Sequence, residues 1–327
     1  MHTFSYARAA SPEEASALLA QGENVQIIGG GTDMLPLMKE EIYSPATLVD
    51  LSAWQDGHRI DESPSGLRIG ALSTLASIAM HPKVLQNYTA LADACGLAAS
   101  PQLRNMGTIG GNLLQQTRCW YYRGPFDCWL KGGDVCYARK GENEQHAIFH
   151  TDPKASVCVS AHPSDSAAAL LALDGSVEYT TPEGSGSMPL SKFYRLPTSD
   201  TRTMVTLPEN AVVTAILLPQ RSSGDRSLYK KAMPRAAWAF ALAGVTIAVR
   251  MDGDVIREAR VALSGVAPVP FRVVAVEERM LGQRLSELSG DLLGEELTKE
   301  AAPLSQNGYK VPLLRGLFGE ALTELQR

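Results

Sequence analysis

The sequence has no run of about 18 apolar residues, so no segment reads as a membrane-spanning helix. It has no excess of basic residues. Its 30 Lys and Arg stand against 35 Asp and Glu, a net charge of −5, which argues against a general nucleic-acid binder or a polybasic membrane binder. It has no internal repeat and no low-complexity tract, and at 45% apolar and 20% charged residues it is not a disordered chain. Its first residues, MHTFSYARAASPEEASALLAQ, show no basic patch followed by an apolar core and no twin-arginine pair, which points to a cytoplasmic protein. Cysteine is sparse. Five residues, an odd number, form no short secreted disulfide framework. Four of the five, Cys119, Cys128, Cys136 and Cys158, nevertheless fall in one stretch.

A length of 327 residues predicts two domains. Ser11-Pro12-Glu13-Glu14 opens a helix, with Ser11 as N-cap, Pro12 at the first helical position and Glu14 closing a capping box. Residues 25–28 read as a buried strand, 34–41 as a helix, 46–51 and 68–72 as strands, and 74–80 and 84–95 as helices. Residues 115–160 then lose all period, and a loop of that length inside a compact domain calls for a function or an ordering ligand. An alanine-rich helix resumes over 164–173, and 176–219 read as short strands. The polar stretch 220–227 (QRSSGDRS) is the expected domain boundary. Beyond it, 239–251 and 255–266 form an expected hairpin around Asp252-Gly253, followed by helices near 270–281, 285–301 and 311–326.

Two glycine-rich turns carry the first chemical signal. Residues 29–33, GGGTD, end a strand and lead into a helix, where backbone N–H groups and a helix start can meet an anion. The match to the dinucleotide motif G-x-G-x-x-G is incomplete, because Met34 stands at the third glycine, although Asp50 mimics the ribose-binding acid. This loop alone also fits a plain strand–helix turn. The second turn, GTIGGN over 107–112, adds three glycines with a threonine and an asparagine able to hydrogen-bond phosphate or hydroxyl oxygens. Two backbone nests so far apart suit the two phosphates of a dinucleotide held between lobes.

Ile28-Gly29-Gly30-Gly31-Thr32-Asp33-Met34 and Leu103-Arg104-Asn105-Met106-Gly107-Thr108-Ile109-Gly110-Gly111-Asn112 resemble the two FAD-diphosphate loops of the flavoprotein subunit of molybdenum hydroxylases. That family includes xanthine dehydrogenase, carbon monoxide dehydrogenase and bacterial aldehyde oxidoreductases. The resemblance runs the whole length. The run 45–50 (PATLVD) matches the family's strand after the first loop, which makes Asp50 structural. His162-Pro163-Ser164-Asp165 matches the segment whose aspartate contacts the flavin cofactor, and Lys231 the lysine that approaches the flavin. The resemblance implies an α+β chain. A two-lobed FAD-binding fold of the vanillyl-alcohol-oxidase (PCMH) type would span 1–220, with lobes of about 1–60 and 61–220. A C-terminal domain of β-sheet plus helices, of the carbon monoxide dehydrogenase flavoprotein type, would span 225–327. It implies FAD held by Ile28, Gly29, Gly30, Gly31, Thr32, Asp33, Met34, Gly107, Thr108, Gly110, Gly111, Asn112, Asp165 and Lys231.

The cysteines occupy an insertion of about 115–160, with spacings C-x8-C, C-x7-C and C-x21-C rather than the C-x2-C pairs of zinc ribbons and ferredoxins. Four thiolates suit the four irons of a [4Fe–4S] cubane, and metal ligation would order an unpatterned loop. Zinc, free thiols and disulfides remain alternative uses of four cysteines. His146 or His150 could replace a cysteine ligand, although a neutral surface histidine is the plainer reading; Cys95 reads as a small buried hydrophobe, and Trp120, Tyr121, Tyr122 and Trp129 as shielding for a cluster or an interface, with a direct electron relay as the sharper alternative.

Within the family, the flavoprotein subunits of 4-hydroxybenzoyl-CoA reductase and of three-subunit periplasmic aldehyde oxidoreductases carry a similar insertion with a [4Fe–4S] cluster. The stretch from Cys158 to Asp165 is closer to the aldehyde type and marks Cys158 as the fourth ligand beside Cys119, Cys128 and Cys136. The implied activity is electron transfer within a heteromeric molybdenum-dependent oxidoreductase. A large molybdenum-cofactor subunit and a small [2Fe–2S] subunit would be its partners, with an external electron acceptor. Two other classes stay open: a self-sufficient flavin oxidase or reductase, and a zinc-stabilised non-catalytic interaction module. Co-export with a signal-bearing small subunit would make the location periplasmic.

Overall fold

The computed structural model describes residues 1–222 and 224–327, so Ser223 of the expected 220–227 boundary lies outside the described residues. Three sheets organise the chain. The first holds β1 (Ser5–Arg8), β2 (Val25–Ile28) and β3 (Thr47–Asp50) in the order β1-β3-β2, all parallel. Parallel strands of one sheet need a crossover, and the helix Pro12–Gln21 supplies the one from β1 to β2, which flank β3. Ser11 caps it, with Glu14 N donating to Ser11 Oγ at 3.1 Å, but the Glu14 carboxylate accepts at 2.7 Å from Ala10 N, one residue before the cap, rather than from Ser11 N as the expected capping box requires.

The second sheet is antiparallel throughout. It holds β4 (Ile60–Ser63), β5 (Gly66–Gly70), β6 (Ser176–Thr181), β7 (Gly184–Pro189) and β8 (Val212–Pro219) in the order β4-β5-β8-β6-β7. The third contains β9 (Arg226–Ala232), β10 (Ala243–Asp252), β11 (Val255–Ser264) and β12 (Phe271–Arg272) in the order β12-β11-β10-β9. The hairpin β10–β11 turns at Gly253, whose φ of +61° suits a residue without Cβ. The helix Lys310–Leu325 covers this sheet, burying Leu314, Leu317, Phe318, Ala321, Leu322 and Leu325 in a core separate from that of the first two sheets. The helix Asp165–Ala172 (DSAAALLA) is buried along its whole length. Its small side chains let it lie between the helix Thr89–Leu97 and strands β10 and β11.

The structure departs from the sequence reading at several elements. β1 has no counterpart there, because four residues are too short for a period to show. The expected helix 84–95 is two helices, Pro82–Asn87 and Thr89–Leu97, broken at buried Tyr88, whose hydroxyl donates to Pro219 O at 2.9 Å. The strand expected from 239 begins at Ala243. The stretch 285–301 yields a 3₁₀ turn, Leu285–Glu287, and the helix Gly290–Leu297, which Ser289 caps.

The insertion holds only single turns: Trp120–Arg123, Trp129–Lys131 and Tyr137–Arg139. Polar side chains reaching backbone carbonyls give it form. The Arg139 guanidinium donates to the carbonyls of Thr151, Ser156 and Val157. From the C-terminal part, Asn307 donates to the carbonyls of His146 and Ala147 at 3.1 and 3.0 Å. Lys310, fully buried, donates to Gln145 O and Gly265 O at 3.0 and 2.8 Å. Burial without a carboxylate partner lowers the Lys310 ammonium to about 7.

Candidate functional site

The two glycine turns meet. An added Cβ at Gly30 would stand 1.7 Å from Met106 O, and one at Gly29 would stand 3.1 Å from Thr108 Oγ1. This approach, with Gly31 at φ +71°, is what the glycines permit. Gly29, Gly30, Gly31, Thr32, Asp33, Met34, Thr108, Gly110 and Gly111 line one cavity of about 620 Å³. That volume is in the range of cofactor sites. Ile28, Gly107, Asn112, Asp165 and Lys231 are absent from its lining.

The turns differ in what they offer. Among the described residues, no hydrogen bond inside the protein engages the N–H groups of Gly29, Gly30, Gly31 or Thr32. In the second turn, Ile109 N donates to Ser73 O and Gly110 N to Ala71 O, both at 2.9 Å, and Gly111 N donates to Thr108 Oγ1 at 3.2 Å. Among the described residues, the free N–H groups of 29–32 therefore stand opposite a second turn in which Ile109, Gly110 and Gly111 donate within the protein. Asn112 also faces inward: its Oδ1 accepts from Ser164 Oγ and Ser166 Oγ at 2.5 and 2.6 Å, tying the turn to the helix Asp165–Ala172.

Asp33 turns toward the insertion. Its carboxylate is ion-paired with Arg118 and with Arg123 (2.8 Å) and accepts from Gln116 N at 2.8 Å. Burial would raise its pKa, but the two guanidinium charges outweigh this and hold it below the usual carboxylate value. Asp165 and Lys231 face each other at 2.7 Å, with the side chains 4% and 1% exposed; Tyr229 OH donates to Asp165 at 2.7 Å. The pair joins the helix start at 165 to β9. His162 and Pro163, just before it, form a wall shared by the glycine-loop cavity and a second cavity of about 580 Å³ that Arg118, Arg235, Trp238 and Phe240 also line. His162 is held neutral, since burial lowers it to about 3. Sequence reasoning did not single out His162, Tyr194 or Arg202 as cavity residues; the HPSD stretch was the signal available for His162. Asp50 is structural, accepting from Ser52 N and Tyr6 OH.

The four insertion cysteines are unbridged and neighbour one another. Cys119 packs with Cys128 in one small apolar cluster and with Cys136 in another. Ser160 N donates to the Cys158 sulfur at 3.5 Å, and Cys158 Sγ donates to Ser160 Oγ at 3.3 Å. Burial lifts Cys119 to about 12, whereas the neighbouring Cys158 pulls Cys136 below its usual value. Cys95 is fully buried and raised by burial. Among the described residues, no group of three or more His, Cys, Asp or Glu side chains is arranged to hold a metal ion. Tyr121 and Tyr122 are buried in clusters that hold Cys119, Cys128 and Cys136, and buried Trp129 packs under the Arg202 guanidinium. His146 is not at the surface, as its sequence context suggested. It is 3% exposed, and its Nε2 lies 3.2 Å from Cys119 Sγ.

A glycine nest, a closing turn and a long cavity between two lobes define a dinucleotide-binding oxidoreductase component. Residues 2–221 match the family described as the FAD binding domain in molybdopterin dehydrogenase, and residues 228–325 match the CO dehydrogenase flavoprotein C-terminal domain. The chain is 34% identical to the aldehyde oxidoreductase FAD-binding subunit PaoB of Escherichia coli, over 99% of this chain and 98% of that protein. It is 27% identical to the glyceraldehyde dehydrogenase medium chain of Sulfolobus acidocaldarius, over 98% of each. Among solved structures, carbon monoxide dehydrogenase of Hydrogenophaga pseudoflava superposes with a TM-score of 0.77 at 26% identity, covering 99% of this chain and 97% of that one. The chain belongs to the FAD-binding medium subunits of the molybdenum hydroxylase family.

Proposed function

We propose that this chain is the FAD- and [4Fe–4S]-containing electron-transfer subunit of a heteromeric molybdenum-dependent oxidoreductase that acts on an aldehyde. Its partners in this reading are a large molybdenum-cofactor subunit, a small [2Fe–2S] subunit and an external electron acceptor. The 34% identity to the Escherichia coli aldehyde oxidoreductase FAD-binding subunit supports the aldehyde. FAD, when bound, exchanges electrons singly or in pairs and so links one-electron carriers to a two-electron acceptor.

The chain's own residues bind and orient. The free N–H groups of 29–32 receive the diphosphate, Thr108, Gly110 and Gly111 let it approach, and His162 and Pro163 form the cavity wall beside it. Asp165 and Lys231 act by position, fixing that wall to β9.

The cluster reading is supported by one observation: Cys119 packs in one small core with Cys128 and in another with Cys136 and Val159, the neighbour of Cys158, whereas Cys95 belongs to the main core. A single zinc ion needs its ligands to converge on one point. In a cubane each thiolate binds a different iron, so the four sulfurs stand farther apart around one common cluster. Cys136→Ser tests the assignment against Cys95→Ser. The first variant is expected to lose iron and acid-labile sulfide while retaining FAD, and the second to keep all three. A Cys136→Ser protein with its full iron complement overturns the ligand set.

A further inference from the structure

We infer that Lys131 of the insertion and Arg202 are further binding residues for the cofactor, supplying the positive charge that the FAD diphosphate meets in the glycine-loop cavity. The inference rests on the FAD reading above and is independent of any metal at the cysteines.

The charge balance of the cavity carries it. The diphosphate of FAD is dianionic, and a nest of backbone N–H groups brings dipoles but no net charge. Among the described residues, the cavity lining holds one carboxylate, Asp33, and two cationic side chains, Lys131 and Arg202. Asp33 is already matched by Arg118 and Arg123. The hydrogen bonds of the two cations go only to backbone carbonyls among the described residues. Lys131 Nζ donates to Gly124 O at 2.7 Å, and Arg202 Nη1 donates to Trp129 O and, at 2.8 Å, to Gly133 O. The remaining ammonium protons and the Nε and Nη2 groups of the guanidinium are left for a ligand. A cation without a carboxylate on a cavity wall attracts an anion, and does so more strongly where the walls exclude water.

The two side chains are also held in place. Lys131 N donates to Cys128 O at 2.8 Å and closes the turn Trp129–Lys131. Leu130 of that turn packs in a small core with Leu37 and Tyr122. Leu37 belongs to the helix Met34–Lys39, which follows the first glycine turn directly, so this core ties the Lys131 turn to the nest. The Arg202 guanidinium lies 4.9 Å from the centre of the Trp129 ring, and its neighbours Thr203, Met204 and Val205 line the same cavity. Arg202 therefore clasps the insertion to the far wall of the cavity while its own free donors stay beside the ligand.

The test is the FAD affinity of the full chain, purified with whatever subunits accompany it, deflavinated, and titrated by fluorescence quenching across a KCl series. The variants are Lys131→Gln and Arg202→Gln, singly and combined. Glutamine keeps an N–H donor for the backbone carbonyls and removes the charge. Each single variant is expected to weaken FAD binding about tenfold at low salt. The double variant should also lose most of the salt dependence of the wild type, because salt screens charge rather than packing. Lys131→Arg, which keeps the charge, should recover most of the affinity. Variants that bind FAD as tightly as wild type overturn the inference. Variants that bind weakly but keep the wild-type salt dependence also overturn it, because the two side chains then act only by holding the loops. Should the variants fail to fold, the wild type decides: its FAD affinity must fall as KCl rises, and an affinity indifferent to KCl overturns the inference. A wild-type chain that binds no FAD overturns the flavin reading and the inference together.

Discussion

Gly30→Ala tests the glycine-turn geometry most sharply. The added methyl would lie 1.7 Å from Met106 O and 2.6 Å from Met106 C. Both are backbone atoms, so no rotamer change relieves the clash. The gap must widen to at least 3.0 Å, which pushes the two turns apart. Forcing an extra methyl into packed surroundings costs about 1–3 kcal/mol, and rigid backbone places this site toward the upper end. The displaced turn carries the free N–H groups of 29–32. A hydrogen bond to a charged group contributes about 1.5–3 kcal/mol, so losing one weakens binding roughly ten- to hundredfold. Gly96→Ala is the control. Its new Cβ finds nothing nearer than Ala79 Cβ at 4.0 Å, and it lies in the helix Thr89–Leu97, where alanine is favoured by up to about 1 kcal/mol. The assay is FAD affinity by fluorescence quenching on deflavinated protein, with thermal melting of the same samples. Gly30→Ala protein that binds FAD as tightly as wild type and melts with it would refute the reasoning.

Two further substitutions probe the ion pairs. Lys231→Met leaves the Asp165 carboxylate buried beside Tyr229 without its cation, and breaking a buried pair by one partner costs about 3–5 kcal/mol. Urea unfolding should show that loss, and a variant as stable as wild type would contradict it. Asp33→Asn removes the anion between Arg118 and Arg123. Because the folded carboxyl lies below its ordinary 3.8, the stability Asp33 contributes is complete above that pH and fades as pH falls through the lower, folded value. The stability gap between wild type and Asp33→Asn should therefore be constant from pH 5 to 7 and shrink below about pH 4; a gap that widens on acidification contradicts the pairing.

The glycine turns were legible because their chemistry lies in residue type and short spacing. Three consecutive glycines after an apolar run already announce a close backbone approach. Their asymmetry was not legible. Whether an N–H is free depends on its partner, and the partners of Ile109 and Gly110 are Ser73 and Ala71, on a separate segment. The pairing of Asp165 with Lys231, 66 residues apart, is likewise a product of the packing of one buried helix against β9. The ion pairs of Asp33 with Arg118 and Arg123 span 85 and 90 residues. His146 was misplaced for a different reason. The insertion has no period, so nothing in neighbouring residues tells inside from outside. Its burial follows from Asn143, Asn307 and Lys310, which no local pattern connects to it. The strands with clear alternation or apolar runs, β2, β5 and β11, were found within a few residues of their ends.

The central claim is that one chain carries both FAD and an iron–sulfur cluster. Its direct measurement is the flavin, iron, zinc and acid-labile sulfide content of the full chain after anaerobic purification, with the accompanying subunits identified in the same sample. The account predicts FAD together with about four irons and four sulfides in the chain itself, further iron and sulfide wherever the small [2Fe–2S] subunit accompanies it, and larger and smaller partner subunits. Flavin accompanied by stoichiometric zinc, with no iron or sulfide, would contradict it.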